Sequence, residues 1–502
     1  MDIRSRGRIV GGVVMAHVSR RTFLEHGGAL AGVGVAVSSG RSAAEGVAEV
    51  DPGLFSTLRT RLTGRLVLAD DQDYATAKRV FYWNPRIEQR PVAIVECGEE
   101  EDAVRAVDFA RSQDLEIAVR SGGHSHLAWS SCNGVVIDLS KLKKMTVDPA
   151  RRIVHAEGGV FSGEVARVAG RYGLAPVLGQ CPGVSATGVT LGGGLGWLAG
   201  LYGASCDNLM SARLVTADGQ WHDVDEQTNP ELFWGLRGAG ANFGVTTSFT
   251  ARLHEVGTIL SGDFHYSPSD AKAVLQGFRE VMHAAPDTFQ ATLNLTRGER
   301  GLFLSFCHAG AEIDADTMLQ SLRAIAKPTK EVVLRQPFAK LAEKAAATNP
   351  GQGAVPAFRE VQTVRRERIT DDVIEILVDQ LAQATPDVVM GLSHYMHGEV
   401  CRVLPDATAF PHRQEHSLYL RMAHSWSDAR LTDDRFAWSE QWRERLRPRQ
   451  NERIYANYQT YETKQGSPSV FAENHARLLT LKQRYDPENV FHRNANIAPA
   501  RG

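Results

Sequence analysis

Residues 178–203 read LGQCPGVSATGVTLGGGLGWLAGLYG, a stretch of small residues without a charged side chain. Its glycines leave room for backbone N–H groups to approach a bulky or anionic ligand, and this role is assigned to Gly188, Gly192, Gly193, Gly194 and Gly196. Cys181 stands near the start of the run, and a strand-like segment, 212–217, follows it. The stretch therefore predicts a cofactor cradle with a reactive residue at its mouth.

Three interpretations of this stretch compete. The first is a loop whose glycines only allow close packing. The second is a dinucleotide-binding turn, because residues 194–199 fit the pattern G-x-G-x-x-A. That turn needs a buried strand before it, whereas residues 184–191 are small and hydroxylated. The third is a flavin cradle of another architecture, which requires a partner segment.

A partner segment lies upstream, where residues 120–126 read RSGGHSH after an apolar, strand-like run at 115–119. A Ser-Gly-Gly loop that leaves a strand can bind a pyrophosphate through its backbone donors, and the residues assigned to it are Arg120, Ser121, Gly122, Gly123 and Ser125. His124 and His126 lack a third ligand nearby, so no metal site is predicted. Taken alone, His124 is better explained as an ordinary loop histidine than as a functional one.

The two segments together resemble the berberine-bridge-enzyme-like FAD-linked oxidases. The motifs are R-S-G-G-H at 120–124 and C-P-x-V followed by G-x-x-x-G-G-G-x-G at 181–196. Further motifs follow the family pattern in order at 202–203, 207–209, 215–219, 231–238, 242–245, 406–413, 455–458 and 485–491. One departure is the stretch GAGA at 238–241, where the family has a run of glycines. The family belongs to the vanillyl-alcohol-oxidase superfamily, whose FAD domain also occurs in p-cresol methylhydroxylase.

The resemblance implies an α+β protein with the two-domain fold of FAD-linked oxidases. Residues 46–256 and 450–502 would form the FAD domain, with the motif region at 87–256, so the C-terminal part would return to the N-terminal part. Residues 257–449 would form a substrate domain, a sheet covered by helices. Residues 1–45 would precede both domains.

The resemblance also implies that FAD is held by two covalent bonds. His124 aligns with the histidine that is bonded to the flavin 8α-methyl carbon, and Cys181 aligns with the cysteine that is bonded to flavin C6. Two such bonds clamp an electron-poor ring of raised reduction potential. Gly244, Val245 and Asn457 are further expected cofactor contacts. Val184 aligns with the position that admits O2 to the reduced flavin, although the residue alone is better explained by packing.

The expected chemistry is the oxidation of an alcohol or amine, with hydride transfer to flavin N5 and reduction of O2 to H2O2. Tyr458 is the candidate base, because family members place this tyrosine over the flavin; a packed aromatic is the alternative. A free tyrosine titrates near ~10, so the base needs a cation or a hydrogen bond. Tyr395 is the candidate second residue, chosen over His394 and His397 on a predicted strand at 388–397.

Two rival functions stay open on the sequence. One is a flavin dehydrogenase or oxidative cyclase that uses another electron acceptor. The other is a secreted binding protein that keeps the fold without catalysis. The expected partners are a small-molecule substrate and O2, and the net charge of −2 does not indicate a nucleic-acid partner.

The N-terminus predicts a twin-arginine export signal. Residues 19–24 read SRRTFL, an uncharged run follows at 27–37, and small residues suited to cleavage follow at 42–44. The apolar run is too short for a stable membrane anchor. We therefore expect a periplasmic or extracellular protein that engages the export machinery, with Met1 or Met15 as its start. The six cysteines predict no particular disulfide pairing.

Hydrophobic patterning predicts the elements around these motifs. Acidic residues at 99–102 suit the first turn of a helix whose apolar stripe is Ala103, Ala106, Val107 and Ala110. Other helices are expected at 269–283 and 314–326 and around Leu478 and Leu481. Further strands are expected at 91–97, 115–119, 134–139, 151–157, 257–265, 291–295, 301–308 and 415–426.

Overall fold

The computed structural model describes residues 51–346, 358–447, 453–459 and 467–499. The predicted export signal at 1–45 lies outside the described residues and stays a prediction. The described residues form one compact unit. No helix in the described part of the chain is long and apolar enough to cross a membrane.

The first sheet has four strands and carries the loop of His124. Its order is β1-β2-β4-β3, with β2 and β3 both parallel to β4. The strands are β1 (Arg65–Leu68), β2 (Ala93–Glu96), β3 (Ile117–Arg120) and β4 (Val135–Asp138). The RSGGHSH motif begins at the last residue of β3, so its loop leaves the carboxyl edge of a parallel pair, where ligands commonly bind.

The second sheet has six strands, and its pairs are antiparallel. Its order is β5-β6-β10-β8-β9, and β7 pairs with the end of β10. The strands are β5 (Met145–Asp148), β6 (Ile153–Glu157), β7 (Leu174–Pro176), β8 (Leu209–Val215), β9 (Trp221–Asp225) and β10 (Val245–Glu255). The glycine-rich stretch at 178–203 connects β7 to β8 and therefore runs outside the sheet.

The third sheet has seven antiparallel strands in the order β14-β11-β13-β12-β16-β17-β15. The strands are β11 (Thr258–Tyr266), β12 (Phe289–Leu295), β13 (Leu302–His308), β14 (Lys330–Pro337), β15 (Phe358–Arg366), β16 (Val388–Ser393) and β17 (Leu418–Trp426). Alternating residues such as Leu418, Leu420 and Met422 are buried in one apolar cluster with the covering helices. This sheet falls within the predicted substrate region.

Fifteen α-helices surround the sheets in the described part of the chain. They are α1 (Pro52–Arg61), α2 (Tyr74–Ala77), α3 (Glu101–Ser112), α4 (Ser162–Ala169), α5 (Ala186–Leu191), α6 (Ala199–Tyr202), α7 (Pro230–Ala239), α8 (Ala271–His283), α9 (Glu312–Ile325), α10 (Phe338–Ala346), α11 (Asp371–Gln383), α12 (Glu399–Arg402), α13 (Thr432–Leu446), α14 (Ser467–Phe471) and α15 (His475–Tyr485). The predicted apolar stripe of α3 is buried, which confirms that helix.

The predicted strands agree with the structure to within a few residues, with one informative exception. The strand expected at 388–397 ends at Ser393. His394 has a φ of 51°, which lies outside the extended region and breaks the alternation of side chains. The expected alternation of Tyr395 and His397 against His394 along one strand is therefore wrong.

The C-terminal part returns to the second sheet, as the resemblance implies. Leu478 and Leu481 of α15 are buried in the same apolar cluster as Phe249 of β10. Beneath them, the fully buried Lys482 ammonium donates to the Asp486 carboxylate at 2.7 Å and to the carbonyl oxygens of Asn242 and Phe491 at 2.9 and 2.8 Å. One buried ammonium thus ties three chain segments together.

We expect Lys482→Met to lower the free energy of unfolding by about 3–5 kcal/mol, because it leaves the buried Asp486 carboxylate without its cation. Urea unfolding followed by tryptophan fluorescence measures the effect. The exposed Lys141→Met is the control and should change stability by no more than about 0.5 kcal/mol. Equal unfolding midpoints for the two variants would contradict the anchoring role.

Candidate functional site

One cavity of about 520 Å³ is lined by residues of the RSGGHSH loop, the glycine-rich stretch and the C-terminal motif at 455–458. Its wall includes His124 from the loop after β3, Cys181 from the glycine-rich stretch, and Tyr458 from the C-terminal part. Other predicted residues on this wall are Ser121, Gly122, Gly123, Ser125, Val184, Gly188, Gly192 and Asn457. The structure therefore brings together segments that are far apart in the chain.

The loop of His124 and the segment of Cys181 are in direct contact. The Ser121 hydroxyl lies 2.6 Å from the hydroxyl oxygen of Ser185, and the carbonyl oxygen of Gly158 accepts a hydrogen bond from this pair. A Cβ atom on Gly122 would lie 2.8 Å from the backbone nitrogen of Ser185. Only glycine allows this approach, so the two loops form one continuous wall.

The residues on this wall fit FAD. The backbone N–H groups of Gly122, Gly123 and His124 make no hydrogen bond with any described residue, so they can donate to an anion. Ser185 caps the start of α5 by accepting from the N–H of Gly188 at 3.1 Å. No described residue that lines the cavity carries a carboxylate. Free amide donors without competing acids suit the phosphates of a dinucleotide.

His124 is held by an aromatic stack. Its ring lies 3.9 Å from the ring of Phe81 at an interplanar angle of 15°. The Arg359 guanidinium lies over the Phe81 ring, 4.5 Å from its centroid. Burial, assisted by the positive charge of Arg359, lowers the pKa of His124 to about 4. The imidazole is therefore uncharged at neutral pH and keeps a free nitrogen lone pair.

Cys181 is partly exposed and lies on the cavity wall, and no disulfide joins any of the six cysteines in the described residues. Burial raises the pKa of the Cys181 thiol. The backbone N–H groups of Gly183 and Val184 and the charge of Arg421 oppose that increase. Cys181 is consequently a thiol at neutral pH, and any bond that its sulfur forms requires a proton acceptor.

Tyr458 faces the cavity from a 3₁₀ turn, Ala456–Tyr458. Its hydroxyl shares a hydrogen bond with Nε2 of His394, and its ring stacks on that of His126 at 5.6 Å and 9°. Burial raises the pKa of Tyr458 to about 12 and lowers the pKa of His394 to about 3. Both groups are therefore neutral across the physiological range, joined so that a proton can pass between them.

Asn457 links this turn to the glycine-rich stretch. Its side-chain amide donates to the carbonyl oxygen of Val189 at 3.0 Å and to the hydroxyl of Tyr455 at 2.8 Å. The backbone N–H of Gly194 donates to the same hydroxyl at 2.8 Å. A Cβ atom on Gly192 would lie 2.1 Å from Oδ1 of Asn457. Gly192 is therefore needed for the C-terminal turn to close on the cavity.

Two predicted site residues do not reach the cavity wall. Tyr395 packs in the apolar cluster of the third sheet, and its hydroxyl lies 3.3 Å from Nδ1 of His416. The reason is the end of β16 at Ser393, which turns His394 rather than Tyr395 toward Tyr458. Arg120 is buried and donates twice to one carboxylate oxygen of Asp138, at 2.9 and 2.7 Å.

The remaining predicted cofactor contacts also lie away from the wall, in packing positions. At Gly193 a Cβ atom would lie 2.5 Å from Phe410 Cδ2, and at Gly194 it would lie 2.1 Å from Ser205 Oγ. At Gly196 it would lie 1.9 Å from the Leu178 carbonyl oxygen, and at Gly244 it would lie 2.2 Å from the Val215 carbonyl oxygen. Val245 is buried in the apolar cluster of the first sheet. These residues shape the backbone behind the cavity.

Several residues on the wall carry no motif that the sequence could reveal. Phe81 and Tyr82 precede β2 in an irregular segment, and Arg421 lies in the middle of β17. The alternation of LYLRMAHSW in β17 does predict two faces, with Arg421 opposite Leu420 and Met422. It does not predict which face borders the cavity.

Comparison with known proteins agrees with this geometry. Residues 91–225 match the family described as FAD binding domain, and residues 454–498 match the family described as Berberine and berberine like. The first match includes His124 and Cys181, and the second includes Tyr458. The two matched segments thus contain the covalent candidates and the candidate base.

Full-length relatives agree as well. The (R)-6-hydroxynicotine oxidase of Paenarthrobacter nicotinovorans is 28% identical over 89% of this chain and 99% of its own. The crystal structure of 6-hydroxy-D-nicotine oxidase from Arthrobacter nicotinovorans covers 87% of this chain and 98% of its own, with a TM-score of 0.78 and 26% identity.

Berberine bridge enzyme from Eschscholzia californica shares the fold, with a TM-score of 0.78 and 21% identity over 89% of this chain and 99% of its own. The two family matches and the full-length relatives agree on an FAD-linked oxidoreductase. The cavity, which is lined by residues of both matched segments, is consistent with them. The chain combines an FAD binding domain with a berberine-like C-terminal segment and is an FAD-linked oxidoreductase, similar over most of its length to (R)-6-hydroxynicotine oxidase.

Proposed function

We propose that this protein is an oxidase that binds FAD covalently through both His124 and Cys181 and oxidises an alcohol or amine while reducing O2 to H2O2. The observation that carries the proposal is that His124, Cys181 and the hydrogen-bonded pair of Tyr458 and His394 all line one cavity. A dehydrogenase that uses another electron acceptor would use the same residues, and it would differ from the proposed oxidase only because its reduced flavin reacts slowly with O2.

His124 is suited to form the first bond. Its uncharged imidazole presents a nitrogen lone pair, and the stack on Phe81 keeps the ring in one orientation. Cys181 would form the second bond from the neighbouring segment, which the Ser121–Ser185 contact holds in place. Each bond replaces a hydrogen atom and is a two-electron oxidation, for which O2 is the final acceptor.

FAD, when bound, accepts the hydride of the substrate carbon and passes the electrons to O2. The chain's own contribution is to remove the proton of the substrate hydroxyl or amine. Tyr458 cannot act as a phenolate near neutral pH, because burial raises its pKa to about 12. We infer that the Tyr458 hydroxyl accepts the substrate proton while its own proton moves to Nε2 of His394.

Val184 supports the choice of O2 as acceptor. It lies on the cavity wall, three residues after Cys181, at the position that the family resemblance connects with access of O2. Its side chain is small, so it leaves space beside the residues that would hold the flavin ring. The relative named (R)-6-hydroxynicotine oxidase is also an oxidase by name, which favours the same acceptor here.

We expect the yellow colour to stay with the purified chain after denaturation in acid. It should stay in His124→Ala and in Cys181→Ala, since one bond remains in each, and should wash off the double variant. Absorbance of the precipitated protein measures the retained flavin. The controls His155→Ala and Cys401→Ala should retain it. Colour that washes off the unmodified, FAD-loaded chain would refute covalent attachment.

The proposed relay predicts a pH profile. Because His394 stays neutral above a pKa of about 3 and Tyr458 stays protonated below about 12, the rate of flavin reduction should be level between about pH 5 and 9. Anaerobic stopped-flow measurement with the first alcohol or amine that bleaches the flavin tests this. A rate that rises about tenfold per pH unit would instead indicate a Tyr458 phenolate.

In the same assay, His394→Gln and Tyr458→Phe should each lower the rate of flavin reduction by about 100-fold to 10,000-fold. The double variant should be little slower than either single variant, because the two residues act as one unit. His155→Gln is the control, since this histidine is exposed and outside the cavity. Additive losses would show that the residues act independently.

The reaction with O2 can be tested without a known substrate. Enzyme reduced anaerobically with dithionite and mixed with aerated buffer should reoxidise rapidly and yield one H2O2 per flavin. Val184→Ile should slow reoxidation by about tenfold or more, because its extra methylene narrows the space beside the ring. Val104→Ile on α3 is the control. Slow reoxidation of the unmodified enzyme would favour the dehydrogenase.

A further inference from the structure

The third sheet presents a polar face to the cavity. Asn294 of β12 pairs with Gly391 of β16, and Gly391 pairs with Arg421 of β17, so the three residues form one row across the sheet. A Cβ atom on Gly391 would lie 3.2 Å from Oδ1 of Asn294 and 3.7 Å from Nη2 of Arg421. The Arg421 guanidinium therefore extends over Gly391, in space that the missing side chain leaves free.

The positively charged Arg421 has no negatively charged side chain beside it on the described cavity wall. Its Nε hydrogen is buried and has no acceptor in the part of the chain that the structure describes. The wall, as far as the structure describes it, contains no carboxylate. The other arginine on the wall, Arg493, differs: it donates to the carbonyl oxygen of Ser131 at 2.7 Å and lies 3.7 Å from the Glu116 carboxylate.

A guanidinium taken out of water is costly unless an anion or several acceptors compensate it. Arg421 is half-buried, and nothing on the described wall supplies an anion to it, so a bound anionic group can take that place. Arg421 lines the same cavity as Tyr458 and Cys181, and its charge opposes the effect of burial on the pKa of both. The free backbone donors of Gly122 and Gly123 provide a separate place for the phosphates of FAD.

We propose that Arg421 binds a carboxylate of the substrate, so that the enzyme oxidises alcohols or amines that also carry an acid group. The guanidinium would donate to the carboxylate, as such pairs do, and the Asn294 amide and Thr292 hydroxyl on the same wall would donate beside it. The inference rests on the proposed function, because it concerns the substrate of the same cavity.

This assignment also explains the polarity of the sheet. Thr292, Asn294 and Arg421 provide hydroxyl, amide and guanidinium donors on strands whose opposite face is apolar. A carboxylate held there would orient the rest of the substrate toward the pair of Tyr458 and His394, which also borders the cavity. Arg421 is thus a specificity-determining residue, and Tyr458 is the proton acceptor.

Benzoate and benzamide are suitable probes, because they have nearly the same shape and differ in charge at neutral pH. Calorimetric titration of the FAD-loaded enzyme should show benzoate binding at least about tenfold more tightly than benzamide. Arg421→Gln should weaken benzoate by about 30-fold or more and benzamide by less than threefold, since only the former loses a charged partner. Arg421→Lys should recover part of the benzoate affinity.

Arg430→Gln is the matched control, because it removes the same charge from an exposed residue that pairs with Asp428. It should leave both titrations unchanged. Failure of the unmodified enzyme to bind benzoate, or equal binding of the two probes, would overturn the inference. Equal weakening of both probes in Arg421→Gln would do so as well, because it would assign Arg421 to the flavin or to the fold.

The visible absorbance of the purified enzyme separates this inference from the proposed function. If the flavin-loaded enzyme is reduced by a substrate but binds benzoate and benzamide with equal affinity, the carboxylate site alone is overturned. A chain that retains no flavin would overturn the proposed function and the carboxylate site with it.

Discussion

The site depends on the contact between two loops that are far apart in the chain. Ser121 and Ser185 are separated by 64 positions, yet their hydroxyl oxygens lie 2.6 Å apart and share the carbonyl oxygen of Gly158. The contact is close because Gly122 has no side chain. Any larger residue there would push the loops apart, and His124 and Cys181 could then no longer both reach one flavin ring, as the proposed covalent attachment requires.

The second constraint is the two-sided character of the third sheet. Along β17, Leu418, Leu420 and Met422 are buried beneath the helices, while the side chains between them belong to the other face. That face has to tolerate polar groups because it borders a cavity rather than a core. The fold therefore supplies Arg421 to the site without disturbing the packing of the sheet.

Much of this arrangement could be predicted from the sequence. The buried stripe of α3 and the strand before the RSGGHSH motif follow from hydrophobic periodicity, and the glycine-rich stretch indicates a cradle. Strand alternation favours Tyr395 as the partner of Tyr458, but β16 ends at Ser393, so His394 makes that contact. The positive φ of His394 depends on the surrounding fold, and no local sequence pattern predicts this backbone conformation for the histidine.

By itself, the sequence determined which residues are the candidates for holding the cofactor: His124, Cys181 and the glycines between rigid elements, since local motifs encode backbone shape and reactive groups. The tertiary structure alone decided which side chains share the cavity. His394 meets Tyr458, and Arg421 borders the cavity without a carboxylate on the described wall, because strand ends and sheet faces are set by packing between distant segments. The proposed proton transfer and the proposed binding of a carboxylate depend on these contacts, which no single stretch of the chain contains.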